Sequence, residues 1–178
     1  ACQTPLSNFE TRMDNSYRQK ESKAVTVKFK LAEAPPCRKD DFQNNISLLA
    51  WTTTPWTLPA NLALAVGKDI SYSVVKIKKT NEIIILATNL IEKIAKDFGE
   101  YEIEKTINGQ ELVGLKYQPL FPYFQNHEKL ANCQNAFTIL HGDFVTTDEG
   151  TGIVHIAPGF GEDDQILAKN NNIPTICP

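Results

Sequence analysis

The 178-residue chain is poor in the features that would take it out of the ordinary globular class. It holds a single methionine, Met13, and stops at Ile176-Cys177-Pro178 without a polar tail; both suggest a piece of a longer protein. Cysteine is sparse. Cys2, Cys37, Cys133 and Cys177 lie far apart with no Cys-x-x-Cys pair, which excludes the common zinc spacings. Nothing marks a secreted chain, so reduced thiols are expected, and Asn45-Ile46-Ser47 is read as a chance match to the glycosylation pattern. No apolar run approaches the ~20 residues that span a bilayer, and no signal-peptide pattern opens the chain. Positive charge is not in excess: 18 Lys and Arg against 21 Asp and Glu give a net charge of −3. A protein that grips nucleic acid through phosphates alone carries a basic surface, so any such partner must be held at its end or by other means. No Gly-x-x-x-x-Gly-Lys-Ser/Thr loop, dinucleotide fingerprint or Gly-x-Ser-x-Gly elbow occurs. His127, His141 and His155 lack the helical spacing of a metal site. The expectation is a site with no metal, no bound cofactor and no covalent nucleophile.

What is present reads as one domain over 1–178, with a polar, turn-rich connecting arm at 1–22 and a globular core at 23–178. A chain of this length buries roughly 70% of its unfolded surface and needs no disulfide to hold a core. Val25, Val27, Phe29 and Leu31 alternate with Thr26, Lys28 and Lys30, a strand with a basic outer face, stopped by Ala34-Pro35-Pro36. A polar loop is expected at 35–45. Ile46–Thr54 reads as a buried strand ended by Pro55. Hairpins are expected from Ser71–Lys78 with Glu82–Thr88, and from Tyr101–Ile107 with Gln110–Leu115 around Asn108-Gly109. Asn89–Phe98 has helical periodicity, with Thr88 or Asn89 to cap its start and Gly99 its end. Phe137–Val145 and Gly152–Ile156 read as strands about an Asp148-Glu149-Gly150 turn, and Gly161–Asn170 as a short helix. The fold class is mixed α/β and β-rich: a mostly antiparallel, barrel-like core with a few peripheral helices.

Two segments concentrate groups able to do chemistry. In Trp51-Thr52-Thr53-Thr54-Pro55-Trp56-Thr57-Leu58-Pro59, three adjacent hydroxyls end a strand where proline turns the chain, so they can face a cleft. Each threonine both donates and accepts a hydrogen bond. The same residues suit a plain strand end, threonine being a good strand former. In Gly150-Thr151-Gly152-Ile153-Val154-His155-Ile156-Ala157-Pro158-Gly159-Phe160-Gly161-Glu162-Asp163-Asp164, a strand delivers His155, a glycine-rich turn follows, and carboxylates enter a first helical turn. The helix N-terminus favours the ionised carboxylate there, which is then placed to grip an ammonium group. Asp163 or Asp164 also fits a helix cap, and His155 a hydrogen-bonded core histidine.

These segments resemble the two motifs of the editing domain, the connective polypeptide insertion, of isoleucyl-tRNA synthetases. The first continues as Ala60-Asn61; in the second the histidine stands nine residues before the second aspartate. Cys2-Gln3-Thr4-Pro5-Leu6-Ser7-Asn8-Phe9-Glu10 is similar to the family's entry into that insertion, and Gly114-Leu115-Lys116-Tyr117-x-Pro119-Leu120-Phe121 is also shared. Related valyl and leucyl enzymes carry arginine after the paired threonines, where this chain has Thr54. The ATP-binding signatures of a synthetic site are absent.

The resemblance implies an aminoacyl-tRNA ester hydrolase that removes valine from mischarged tRNA(Ile) and excludes isoleucine by size, with editing of valyl-adenylate before transfer left open. One methylene in an apolar pocket is worth only ~1–3 kcal/mol, isoleucine against valine in this family being the known example, so a second sieve is needed. It assigns Asp164 to the α-ammonium, and Thr52, Thr53 and Thr54 to the reaction centre with the terminal adenosine, the ester and a water. It places Trp56, Thr57 and His155 in the substrate pocket, with Asn61 as pocket wall or support. Its partners are the tRNA(Ile) 3′ end carrying valine and the rest of the synthetase, with no membrane and no cofactor for editing, ATP belonging to the synthetic domain. Its location is cytoplasmic or organellar. The competing readings are a valyl or leucyl editing domain, a non-catalytic tRNA-docking module and a structural insertion with a degenerate site.

Overall fold

The strand patterns of the sequence resolve into a single curled, half-barrel sheet. The computed structural model describes residues 23–36 and 46–176. The arm expected at 1–22, most of the loop expected at 35–45, and Cys2, Cys37 and Cys177 lie outside the described residues. The strands are β1 (Val25–Lys30), β2 (Ile46–Thr52), β3 (Ala63–Val66), β4 (Ser71–Ile77), β5 (Ile83–Ala87), β6 (Tyr101–Asn108), β7 (Thr138–His141) and β8 (Ile153–Ile156), with helices α1 (Ile91–Phe98) and α2 (Glu162–Asn170). The order across the sheet is β6-β4-β5-β2-β8-β3-β7, with β1 on β2.

The sheet is mixed. Among the described residues β1–β2, β3–β8, β4–β5 and β4–β6 are antiparallel, and β2–β5, β2–β8 and β3–β7 are parallel. β1 lies along the whole of β2, so β5 and β8 share the other edge: β5 takes Ile46–Leu48 and β8 meets β2 at Trp51–Val154. The end of β2 is therefore drawn toward β8, and this brings the threonine run beside the histidine strand. Leu48, Leu49 and Ala50 are all buried, because β2 is covered on both faces. Phe29, Leu48, Leu64, Tyr72, Ile85 and Ile139 form the main core. α1 packs Ile91 and Ile94 on the outer face of β4 and β5, and α2 packs Leu167 and Ala168 against Leu62, Ala63 and Ile156.

Three local expectations are corrected. No hairpin follows β6. Asn108 Oδ1 accepts from the Gln110 amide at 3.0 Å and Glu111 Oε1 accepts from the Asn108 amide at 3.1 Å, so Asn108-Gly109 opens a 3-10 turn at Gly109–Glu111. Gly109 is glycine for closeness, since a Cβ there would strike the Gly67 carbonyl. Neither Thr88 nor Asn89 caps α1: the Thr88 hydroxyl bonds Ser73 at 2.9 Å and the Asn89 amide donates to Thr147 at 2.8 Å, while a 3-10 turn leads in. Gly99 does close α1, at φ +80°. β7 and β8 are strands as expected but are not neighbours; β3, a strand the sequence patterns did not signal, lies between them.

Candidate active site

β2 ends at Thr52, three residues before Pro55, and the chain enters a 3-10 turn at Pro55–Ala60. That turn folds the threonines back on themselves. The Thr54 amide donates to Thr52 Oγ1 at 3.0 Å, and the Thr57 hydroxyl donates to the Thr54 carbonyl at 2.8 Å. Thr54 Oγ1 sits 3.3 Å from Thr52 Oγ1 and 3.4 Å from Thr57 Oγ1. Thr53 is exposed, and its hydroxyl has no hydrogen-bond partner among the described residues.

β8 carries the second segment alongside. Gly150 and Gly152 both stand at φ +73°, where glycine is favoured, and a Cβ on Gly152 would meet Ala87 at 2.5 Å. The Tyr72 hydroxyl donates to the Gly152 carbonyl at 2.7 Å and fixes the turn from below; burial pushes that hydroxyl up to a pKa of about 12. Beyond the turn, β8 presents His155.

Both ring nitrogens of His155 are engaged: Nε2 lies 2.8 Å from Thr57 Oγ1 and Nδ1 lies 3.2 Å from Asn61 Nδ2. The chemistry of the partners fixes the proton. Asn61 Nδ2 donates to the Ala63 carbonyl at 2.8 Å, and a carbonyl only accepts, so the nitrogen of the amide faces that side. Asn61 Oδ1 then accepts from the Tyr117 hydroxyl at 2.6 Å, and the second Nδ2 hydrogen goes to His155 Nδ1. Nδ1 is thus an acceptor, and neutral His155 carries its proton on Nε2, donating to Thr57. Burial lowers the His155 pKa from 6.5 to about 4 and keeps the ring neutral.

Asp164 stands in the first turn of α2, with Oδ2 accepting from the Ala157 amide at 2.8 Å. Burial raises its pKa above the ordinary 3.8; the Ala157 amide opposes that, and the charge of Asp163 adds to it. It has no cationic partner among the described residues. Gly161, just ahead of α2, leaves the carboxylate its space, since a Cβ there would lie 3.1 Å from the Asp164 carboxyl carbon.

The two segments face each other across a cleft of about 390 Å³. Trp51–Thr54, Trp56 and Thr57 line one side; Val154, His155, Phe160, Gly161 and Asp164 line the other. Of the residues singled out by sequence, Thr52, Thr53, Thr54, Trp56, Thr57, His155 and Asp164 all reach this cleft, and Asn61 stands behind it as the support of His155. Trp56 is 68% exposed and Phe160 51%, so the two aromatic rings flank an open mouth. Sequence reasoning gave no role to Phe160, which lies inside the second motif, or to Tyr117, 56 residues from Asn61. A larger depression of about 670 Å³ near Lys129, Cys133, Lys169 and Pro174 lies apart from both motifs, and no set of buried polar groups converges on it. The smaller cleft is the candidate site.

No family model matches the chain. It is similar over its whole length to isoleucine–tRNA ligases of Rickettsia peacockii, at 51% identity, and Rickettsia felis, at 50%. The chain spans 16% and 17% of those relatives' lengths. Among solved structures, GlLeuRS-CP1 aligns with a TM-score of 0.65 at 23% identity, covering 83% of this chain and 60% of that one. The Plasmodium knowlesi (P. knowlesi) cytosolic leucyl-tRNA synthetase editing domain aligns with a TM-score of 0.65 at 16% identity, covering 88% and 64%. At such identities these two show the fold.

Proposed function

Since this chain is homologous along its whole length to a segment of isoleucine–tRNA ligases and has the fold of synthetase editing domains, we propose that its cleft hydrolyses valine from mischarged tRNA(Ile) and excludes isoleucine by size. The observation that carries this reading is the convergence of both motifs on one cleft, whose lining includes Asp164, with no cationic partner among the described residues, and the exposed Thr53. A carboxylate half-sheltered from water and without a cation among the described residues is matched to the α-ammonium of an aminoacyl ester. That contact places the ester beside Thr52–Thr54, and positioning supplies a large part of the rate. His155 and Trp56 bound the space left for the side chain.

In the proposed reaction, water adds to the ester carbonyl. The tetrahedral intermediate collapses by breaking the bond to the ribose oxygen, and valine and the free 3′ end leave. His155 is not the base, because Asn61 occupies the lone pair of Nδ1 and Nε2 holds the proton. The proton of the attacking water passes, through solvent or a neighbouring ribose hydroxyl as relay, to the departing ribose oxygen, which leaves as a hydroxyl. The same pocket takes valyl-adenylate by the same contacts. The partners are the 3′ end of tRNA(Ile) and the remainder of a synthetase, acting where tRNA is charged, in cytoplasm or organelle. Among the described residues no helix is long and apolar enough to cross a membrane.

The test is single-turnover deacylation of valyl- and isoleucyl-tRNA(Ile) by the 178-residue chain and by Asp164→Ala. The valyl ester is hydrolysed and the isoleucyl ester spared. Asp164→Ala slows valyl hydrolysis about a hundredfold, the effect of removing one partner of a desolvated charge pair. Hydrolysis of both esters alike, or an unchanged rate in Asp164→Ala, would remove this assignment.

A further inference from the structure

The cleft has a neighbour. A second depression of about 370 Å³ lies beside it, lined by Phe144, Thr146 and the turn at 148–153. Among the described residues the two spaces share two lining side chains, Trp51 and Val154. The same two residues join β2 to β8. The parallel strands bridge at Trp51–Val154; beyond that pair β2 ends at Thr52, while β8 runs on along β3. The cleft opens where the strands part, so this pair forms its inner wall.

The wall is braced. Trp51 pairs with Thr26 of β1, and Val154 with Ala65 of β3, so both backbones are held from outside. A Cβ on Gly150 would lie 3.0 Å from Trp51 Cε3 and 3.1 Å from its Cδ2, so the turn rests directly against the indole. The wall is also the sheltered apolar part of the cleft. Of the apolar lining, Trp56 and Phe160 stand exposed at the mouth, whereas Trp51 and Val154 are half-buried. An aliphatic side chain leaves most water behind against the half-buried pair.

We propose that the Trp51–Val154 pair is the specificity wall of the cleft: it closes off the second depression and stops an aliphatic side chain longer than that of valine. The proposal rests on the editing reading and names the surface against which its sieve works. With ammonium at Asp164 and the ester beside Thr52–Thr54, the side chain turns to the apolar wall. The further methylene of isoleucine meets the indole and the Val154 methyls. Truncating either residue joins the two spaces and gives that methylene room in the depression behind.

The experiment is single-turnover deacylation of alanyl-, valyl- and isoleucyl-tRNA(Ile) by the 178-residue chain, Val154→Ala, Trp51→Ala and Val154→Ile. The unaltered chain spares the isoleucyl ester. Val154→Ala and Trp51→Ala raise isoleucyl hydrolysis relative to valyl by about tenfold or more, the lower end of what one methylene decides in an apolar pocket. Val154→Ile thickens the wall and raises alanyl hydrolysis relative to valyl. A merely structural pair would slow every ester alike. An unchanged valyl-to-isoleucyl ratio in both truncated variants therefore overturns the proposal while the editing reading stands. If Trp51→Ala fails to fold, the ratio in Val154→Ala decides. Equal hydrolysis of valyl and isoleucyl esters by the unaltered chain overturns reading and proposal together. If the unaltered chain hydrolyses neither, the editing reading fails and the wall is read by calorimetry with non-hydrolysable, amide-linked valyl- and isoleucyl-adenosine. A gain in relative isoleucyl affinity in Val154→Ala then supports the wall; an unchanged preference, or no binding, overturns it.

Discussion

The imidazole of His155 has no nitrogen to spare, and this gives the molecule a pH dependence of definite sign. Folded, its pKa is depressed by burial from 6.5 to about 4; unfolded, it takes a proton near 6.5. Between those values the unfolded state binds more protons. The stability due to the neutral ring is therefore complete above pH 6.5 and is lost as pH falls toward 4, by about 3 kcal/mol in all. Asp164 works the other way. Its pKa is raised by burial, so the folded state holds the proton more tightly and gains stability as pH falls through that raised value. Urea midpoints taken from neutral to acid pH in an Asp164→Asn background isolate the histidine: the midpoint falls, and His155→Gln in the same background removes most of that fall. An equal slope with and without His155 would mean that the ring is not buried neutral. At this scale the sequence was informative through its motifs. Thr52–Thr54, His155 and Asp164, all singled out from the two motifs, line one cleft. The Asn61–Tyr117 link was not legible, because a bond between residues 56 apart leaves no periodic or local trace in a sequence.

The turn before β8 is the element on which the placement of His155 depends, and it is held by a glycine with no substitute. Gly152 has φ +73°, and a Cβ there would stand 2.5 Å from that of Ala87. Gly152→Ala adds left-handed strain of roughly 1–2 kcal/mol to an overpacking cost of about 1–3 kcal/mol. Denaturant melts are expected to show a loss of about 2–5 kcal/mol for Gly152→Ala. Adding Ala87→Gly removes the collision but not the strain, so the double variant recovers only part of the loss. Full recovery would mean that strain is absent. The same elements show what sequence patterns can and cannot reveal. Hairpin β4–β5 was legible from alternation and a polar turn, and Asn81 there does adopt φ +56°. β3 was not legible: Ala63, Leu64, Ala65 and Val66 are all buried, so the strand has no polar face to alternate with and is only four residues long. Asn108-Gly109 misled because the same two residues suit a hairpin turn and a capped 3-10 turn. The deciding contact, Gly109 against the Gly67 carbonyl, comes from a segment forty-two residues away.

The molecule as a whole is ill suited to hold RNA along its length. Its net charge is −3, and the basic outer face read on β1 is partly neutralised in the fold, where Lys28 pairs with Glu82 at 2.8 Å. What it offers an RNA end is a cleft of about 390 Å³ with Trp56 and Phe160 open at the mouth and one carboxylate inside. Aromatic faces bind bases by stacking, which ordinary salt does not screen, whereas each phosphate neutralised on a single strand contributes about −0.7 to the slope of log affinity against log salt. Binding of tRNA(Ile) by the 178-residue chain is therefore expected to be weak, with a shallow slope that corresponds to no more than about two phosphates. Fluorescence anisotropy of end-labelled tRNA across a salt series measures it directly, and Trp56→Ala should weaken binding while leaving the slope unchanged. A slope of about −3 or steeper would mean that a phosphate-binding surface has been overlooked. With the shallow slope, the body of the tRNA must be held elsewhere. Relatives of which this chain spans 16–17% have ample further length to hold it, and the proposed editing role asks of this segment only contact with the aminoacylated end.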